Sequence, residues 1–236
     1  MRRALLLVTA LVLAAPAPAG AATVGLMVVG KERVLREAAP VKLKSRSVRV
    51  GKRRCAVGRA TPLSVLAGTR LRLRLRDYGA CGRSPRDAGA LYVRGVGADS
   101  ARGAAGWVYK VGRRAGTTGA ADPSGSFGDG RKLTRGARVL WFWCEQARGE
   151  ACQRTLEVSS PATVAPGAML PVTVRGYDDS GRGVPVAGAT VRLGAASAVT
   201  DAGGAAQVAA PASGSARLTA EHEGMVRSWP ERVRVR

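Results

Sequence analysis

Short segments that alternate apolar and polar residues recur along this chain and constrain its fold more than any other feature. The clearest segment is RLRLRLR at 70–76, and the pattern returns at Val172/Val174, Val191/Leu193, Ala216/Leu218/Ala220 and Val233/Val235. A period of two places successive side chains on opposite faces of an extended strand. Glycines separate these segments, so the sequence predicts many short strands joined by tight turns.

One segment carries helix signals instead. Thr61 can cap a helix, Pro62 suits its first position, and Gly68 suits the left-handed residue that often ends one. Strand candidates flank this segment on both sides. We therefore predict an α+β N-terminal domain over residues 22–153, with one short helix on a mostly antiparallel sheet.

Residues 154–236 contain only strand and turn patterns. Glycines recur at intervals typical of a sandwich, at Gly181, Gly188, Gly194, Gly203, Gly204 and Gly214. The sequence predicts an all-β sandwich here, and the boundary between the two domains is expected near Arg154–Pro161.

The first residues have the composition of an export signal. Arg2 and Arg3 precede an apolar stretch at 5–15, and small residues follow at 19–21. The apolar stretch is short for a membrane span, although an uncleaved anchor is the alternative. We predict a signal peptide over residues 1–21, no later transmembrane segment, and a protein that is secreted or associated with the cell envelope.

Four cysteines in an exported chain predict two disulfides, for which three pairings exist. The spacing favours the local pairing, Cys55 with Cys81 and Cys144 with Cys152. A zinc site is the alternative, but the chain has no C-x-x-C spacing. We therefore expect neither a bound metal nor a cofactor.

Positive charge is concentrated in one part of the chain. The formal net charge is +22, and arginine outnumbers lysine 32 to 6. Residues 22–153 contain 27 Lys/Arg against 9 Asp/Glu, whereas residues 154–236 contain 9 against 7. A codon bias toward arginine acts on both parts alike, so the asymmetry has a separate cause.

Two basic segments account for much of this surplus. The strand-like segment 70–76 presents an arginine at every second position, and an upstream cluster spans 42–54. In water the mutual repulsion along 70–76 costs about 1 kcal/mol, which a solvated face tolerates. The alternative is attachment to an anionic cell-envelope polymer, with weaker binding at high salt. The candidate residues are Arg70, Arg72, Arg74, Arg76, Lys42, Lys44, Arg53 and Arg54. Sequence-specific recognition of nucleic acid is not expected.

Aromatic residues are concentrated in two predicted strands. Trp107 and Tyr109 share one strand face, and Trp141 and Trp143 share a face of another. Pairing of these strands would bring four rings together, as part of the core. The alternative is a partly open aromatic floor under the glycine-rich loop 116–130, suited to a flat or sugar-like ligand.

The stretch GWVYKV at 106–111, the glycine-rich loop and LTRGARVLWFW at 133–143 resemble the transcobalamin-type C-terminal domain, a β-grasp-like family. TPLSVL at 61–66 lies where that family has its single helix. Ala137 departs from the pattern, because the family usually has an acidic residue there. The resemblance implies a non-catalytic module that binds a ligand or partner. Cobalamin is not expected, because the helical domain that completes its site in animal relatives is missing.

The second predicted domain resembles bacterial Ig-like and carboxypeptidase-regulatory-like sandwiches, at PVAGATV (185–191) and TDAGGA (200–205). Such modules imply a spacer or adhesive role and transfer no functional residues.

Residues for catalysis are scarce. The single histidine, His222, lies between two glutamates in what reads as a turn, and no G-x-S-x-G motif occurs. Asp122 and Asp129 lack the spacing of an EF-hand. We expect a secreted, non-enzymatic binding protein whose ligand is unidentified. The alternative is a structural or adhesive envelope protein held by electrostatic contacts.

Overall fold

The computed structural model describes residues 21–145 and 151–236, so the predicted signal peptide lies almost entirely outside the described residues. Strands dominate the described chain, together with one α-helix and one short 3-10 helix. The chain is therefore β-rich, as the alternating segments predict. Below, the N-terminal half means residues 21–145 and the C-terminal half means residues 151–236.

The N-terminal half contains three sheets. Its elements are β1 (Thr23–Val29), β2 (Val34–Lys42), β3 (Arg46–Val50), β4 (Arg53–Val57), α1 (Pro62–Leu66), β5 (Leu73–Asp77), a 3-10 helix (Pro85–Ala88), β6 (Leu91–Val96), β7 (Asp99–Ser100), β8 (Gly106–Val111), β9 (Arg114–Ala115) and β10 (Arg138–Cys144). The largest sheet has the order β2-β1-β10-β8-β9, in which β1 and β10 are parallel and the other pairs are antiparallel. The hairpin β3-β4 and the sheet β5-β6-β7 are separate.

Helix α1 begins where the sequence predicts. The Thr61 hydroxyl accepts a hydrogen bond from the Ser64 backbone N–H, and the Ser64 hydroxyl accepts one from the Thr61 N–H. The end of the helix differs from the prediction, because Gly68 does not adopt the left-handed conformation. Gly68 is needed for close approach: a Cβ there would lie 2.9 Å from a Val41 methyl group.

The strand predicted over residues 70–76 is shorter than its alternation suggests. Pairing with β6 starts at Leu73, so Arg70 and Arg72 precede the strand. The reason lies in the exit from α1, where the Thr69 N–H donates to the Leu66 carbonyl and holds the chain in a turn. The alternation of arginine and leucine in the sequence therefore extends over residues that do not all belong to a strand.

Strand β10 is buried on both faces, because packed elements lie on each side of the largest sheet. Val139, Trp141 and Trp143 belong to the main core, which also includes the residues of α1. Leu140 and Phe142 point to the opposite face and pack in a second cluster. An unbroken apolar run is typical of such a central strand.

The C-terminal half forms two facing sheets. Its strands are β11 (Thr155–Ser159), β12 (Thr163–Val164), β13 (Met169–Tyr177), β14 (Gly183–Pro185), β15 (Thr190–Leu193), β16 (Ala196–Val199), β17 (Ala205–Ala209), β18 (Gly214–Glu221) and β19 (Glu231–Val235). One sheet contains β11, β13, β14 and β17, and the other has the order β12-β19-β18-β15-β16. Alternate residues of β13 are buried, and the core between the sheets consists of Val, Leu and Ala.

The two disulfides join Cys55 to Cys81 and Cys144 to Cys152, which is the local pairing among the three possible. The first links β4 to the segment after β5. The second links the end of β10 to the residues before β11, where the two halves meet.

Candidate functional site

The four predicted aromatic residues lie together, directly opposite one another on paired strands. Trp141 faces Tyr109 across β10 and β8, and Trp143 faces Trp107. The ring centroids of Tyr109 and Trp141 are 5.4 Å apart, and those of Trp107 and Trp143 are 6.0 Å apart. Cross-strand aromatic pairing of this kind stabilises a sheet.

These four side chains are buried, and the polar atoms of three of them are satisfied inside the protein. The indole N–H of Trp107 donates to the Asp99 carbonyl, and that of Trp141 donates to the Pro62 carbonyl. The Tyr109 hydroxyl donates to the Thr118 carbonyl, and burial raises the pKa of this phenol. The rings therefore form part of the main core.

A groove nevertheless runs beside them, between β6 and β8, which belong to different sheets. It encloses about 310 Å³. Its walls include Tyr92, Trp107, Tyr109 and Trp141, with the segment 115–120 closing one end. Trp107, Tyr109 and Trp141 thus line this groove, whereas Trp143 lines a separate cavity beside Gln153 and Val226.

The glycine-rich loop 116–130 is held by its own hydrogen bonds. The Thr117 N–H donates to the Ser126 carbonyl, and the Asp122 carboxylate accepts from the Ser124 N–H. The Asp129 carboxylate likewise accepts from the Arg131 N–H. Both aspartates thus serve turns, and no group of three or more metal-binding side chains occurs in the described chain.

The two basic segments lie side by side. Strand β3 packs along β5, and the Arg53 guanidinium lies 3.1 Å from the Asp77 carboxylate just after the arginine-rich segment. Arg49 and Arg54 are both exposed and stand directly opposite each other on the β3-β4 hairpin. We refer to the exposed cations of this region as the basic surface, which consists of Arg49, Lys52, Arg53, Arg54, Arg70, Arg72 and Arg76.

The four arginines of the segment 70–76 lie in different surroundings. Arg70 and Arg72 are exposed, whereas the Arg74 guanidinium donates to the carbonyl oxygens of Ala98 and Asp99. Arg76 lies over a tyrosine ring. Lys42 and Lys44 are also exposed, at the end of β2 and just before β3. Among the ion pairs of residues 21–145 and 151–236, Asp77 is the one carboxylate that contacts any of the eight predicted cations.

Asp77 connects the two basic segments. Its carboxylate accepts hydrogen bonds from the backbone N–H groups of Gly79 and Cys81 as well as from Arg53. The bond from Gly79 is the largest cause that lowers the pKa of this carboxyl. Asp77 therefore stays ionised and holds the hairpin against the turn that follows β5.

Two other carboxylates form ion pairs with arginines where the two halves meet. Arg113 pairs with Glu157, and Arg138 pairs with Glu231, each through two guanidinium nitrogens. The second cluster of apolar residues fills the same interface, with Met27, Leu140 and Phe142 packing against Val226 and Trp229. Cations of the N-terminal half thus find acidic partners at the interface, while the basic surface keeps its excess charge.

A buried lysine lies at the centre of this interface. The Lys110 ammonium donates to Thr155 Oγ1 and to the carbonyl oxygens of Tyr177 and Asp178, at 2.9–3.2 Å. The Asp179 carboxylate is 3.7 Å away. Burial lowers the pKa of Lys110, and the nearby carboxylates partly offset this effect. Lys110 could not be singled out from the sequence, because its burial depends on the packing of β8 against the C-terminal half and not on its neighbours in the strand.

Two exposed tyrosines, Tyr78 and Tyr92, were likewise not predicted from the sequence as site residues. Their ring centroids are 6.2 Å apart, and the Arg76 guanidinium lies 4.6 Å above the Tyr78 ring. The available signal was a tyrosine at the end of the arginine-rich segment, at the position where the alternation would place another exposed residue.

His222 lies in the turn after β18, as its sequence context suggests, and its Nδ1 is 2.6 Å from the Glu223 carbonyl oxygen. In the described part of the chain, no helix is long and apolar enough to cross a membrane. Comparison with known protein families, with curated proteins and with solved structures finds no match to this chain.

Proposed function

We propose that this chain is an exported, non-enzymatic binding protein that attaches to an anionic polymer through its basic surface. One observation carries the proposal. The β3-β4 hairpin and the segment 70–76 lie side by side, and among residues 21–145 and 151–236 the one carboxylate that forms an ion pair with these cations is Asp77. The cations of this surface that have no acidic partner are available for an external anion.

Several weak contacts made together account for useful affinity. An extended polyanion releases condensed counterions when it contacts several arginines, so its affinity falls steeply as salt rises. The same positive potential accelerates association. Guanidinium groups also suit carboxylates and phosphates, because their planar N–H donors engage two oxygens at once. A surface of exposed arginines therefore binds a polymer better than it binds a single anion.

The arrangement of elements supports the two-domain division proposed for the chain, residues 22–153 and 154–236. Each half has its own apolar core, and a third, smaller cluster lies between them. Strand β1 pairs with the hairpin partner β2 on one side and lies parallel to β10 on the other, with α1 packed nearby. This order supports the proposed β-grasp-like class, and the facing sheets of the second half support an Ig-like spacer. The two disulfides are compatible with export.

The test is binding of the purified protein to anionic envelope fragments at increasing salt. The variant Arg49→Gln/Arg54→Gln/Arg70→Gln/Arg72→Gln is expected to elute at much lower salt, with a smaller slope of log affinity against log salt. The matched control is Arg192→Gln/Arg217→Gln/Arg232→Gln/Arg234→Gln, which removes four exposed charges from the C-terminal half. Equal losses in both variants would show that net charge alone matters and would contradict the proposal.

The groove between β6 and β8 supports a second candidate, a small flat ligand beside the tryptophans. Trp107 and Trp141 line the groove, so an occupant would change their fluorescence. The experiment is a titration with a panel of metabolites and oligosaccharides. Ala115→Leu, at the rim of the groove, is expected to abolish any response. A panel without a single response, or a response that Ala115→Leu leaves unchanged, contradicts this candidate.

A further inference from the structure

Two tyrosines stand out on a surface otherwise dominated by arginine. Tyr78 and Tyr92 are 65% and 37% exposed, and both belong to the small group of exposed large hydrophobic residues in the described chain. Tyr92 stands opposite Arg76 in the register of β5 and β6, and Arg76 in turn lies over the Tyr78 ring. The tyrosines and Arg76 therefore form one exposed cluster at the edge of the basic surface.

Apolar burial does not account for the exposed position of Tyr78. An exposed aromatic ring contributes little apolar burial, whereas tyrosine is enriched where a protein binds a partner, because its ring combines an apolar face with a polar tip. The stacked guanidinium is also held in place, since the cation–π contact restricts its movement. The cluster thus presents two partly exposed aromatic rings and a positioned cation to solvent.

This combination discriminates between kinds of polyanion. A chain of phosphates needs cations and offers nothing that an aromatic face can bind. An acidic polysaccharide offers both, because the C–H face of a sugar ring packs on an aromatic ring and its carboxylate or sulfate pairs with a guanidinium. We infer that the polymer bound by the basic surface is an acidic glycan, whose sugar rings contact Tyr78 and Tyr92. This inference rests on the proposed function.

The angle between the two rings favours a sugar over nucleic-acid bases. The ring planes are inclined at 59° to each other, so the two rings are far from parallel. A puckered sugar ring has C–H groups that point in several directions and can contact two inclined rings. Consecutive flat bases stack on one another in parallel, which two inclined rings do not match. Nucleic acid is accordingly an outcome that the experiment must be able to detect.

The experiment measures binding of the full chain to four polymers at one low salt concentration. Alginate carries sugar rings and charge, polyphosphate carries charge alone, dextran carries uncharged rings, and single-stranded DNA carries bases. The test variant is Tyr78→Ala/Tyr92→Ala, and its matched control is Tyr78→Phe/Tyr92→Phe, which keeps both ring faces. We expect the alanine variant to bind alginate about five- to tenfold more weakly and polyphosphate unchanged. The phenylalanine variant should bind alginate like the parent protein.

The possible failures are distinct. If the alanine variant loses affinity for alginate and polyphosphate equally, or keeps its affinity for both, the inferred contact with sugar rings is contradicted. The proposal of binding through charge is unaffected by that result. A larger loss for single-stranded DNA than for alginate would assign the cluster to nucleic acid and overturn the inference. Absence of binding to alginate, polyphosphate and DNA by the parent protein, or full binding by the four-arginine variant, would reject the proposed function itself.

Discussion

The ammonium group of Lys110 in β8 donates a hydrogen bond to the backbone carbonyl oxygen of Tyr177 in β13, at 3.0 Å and 67 positions further along the chain. Lys110 is fully buried, and the contact crosses the interface between the two halves. A buried charge is tolerated only when hydrogen-bond acceptors surround it. The C-terminal half therefore supplies the acceptors that allow a lysine inside β8.

Replacement of this lysine tests that dependence. Lys110→Met keeps most of the side-chain volume and removes the donor, so two backbone carbonyls and the Asp179 carboxylate lose their contacts. We expect the free energy of unfolding to fall by about 2–3 kcal/mol. Urea titration monitored by tryptophan fluorescence measures the change. The exposed Lys132→Met is the control and should change stability little; equal effects would contradict the buried role.

The lowered pKa of Lys110 predicts that the free energy of unfolding depends on pH in the alkaline range. The folded-state pKa of Lys110 is below its ordinary value of 10.5, mainly because of burial, while Asp179 and Asp178 raise it and Arg154 lowers it. Between the folded-state pKa and 10.5 the unfolded state binds more protons than the folded state. The contribution of Lys110 to the free energy of unfolding therefore increases as pH rises through this window. The parent protein should gain stability relative to Lys110→Met across that window. A constant difference between the two proteins would contradict the shift.

Gly116 allows the glycine-rich loop to pass directly over Tyr109. A Cβ at Gly116 would lie 2.0 Å from the Tyr109 ring, so Gly116→Ala must displace the ring or the loop. We expect a loss of about 1–3 kcal/mol in the free energy of unfolding. Gly82→Ala is the matched control, because a Cβ at Gly82 meets no atom within 4 Å. Thermal unfolding compares the two variants. Similar midpoint temperatures would show that the loop moves away from the new methyl group without loss of stability, which would contradict the prediction.

The lowered pKa of Asp77 predicts that the stability of the fold decreases at acid pH. The folded-state pKa of Asp77 is lower than 3.8, so its contribution is present above that pH and is lost as pH falls through the folded value. Asp77→Asn should therefore be less stable than the parent protein near neutral pH, and the difference should shrink below pH 3.8. Asp87→Asn, an exposed aspartate in the 3-10 helix, serves as the control. A difference that does not vary with pH would contradict this role.

The two disulfides should differ in their contributions to stability. In the chain-entropy description, removal of Cys55–Cys81 costs about 3.5 kcal/mol and removal of Cys144–Cys152 about 2.5 kcal/mol, because the first closes the longer loop. Serine pairs at each position, unfolded in urea, measure both values. The reverse order would indicate that packing at the interface, where Cys144 and Cys152 lie, outweighs loop closure.

Local patterns were sufficient for several predictions about the fold. Alternation located β13, β15, β18 and β19, and the Thr61-Pro62 pair located the start of α1. These features depend on neighbouring residues alone, through backbone geometry and capping. The same reasoning failed at Arg70 and Arg72, because alternation shows which residues suit a strand and not where a partner strand is available.

The sequence by itself determined the charge asymmetry, the helix start and the pairs of residues that share a strand face. Only the tertiary structure decided which of those faces are covered. The rings of Trp107, Tyr109, Trp141 and Trp143 became core because α1 and other residues of the main core cover their side of the sheet. Lys110 became buried because the C-terminal half covers the other side. Burial is set by elements distant in sequence, and local periodicity carries no information about them.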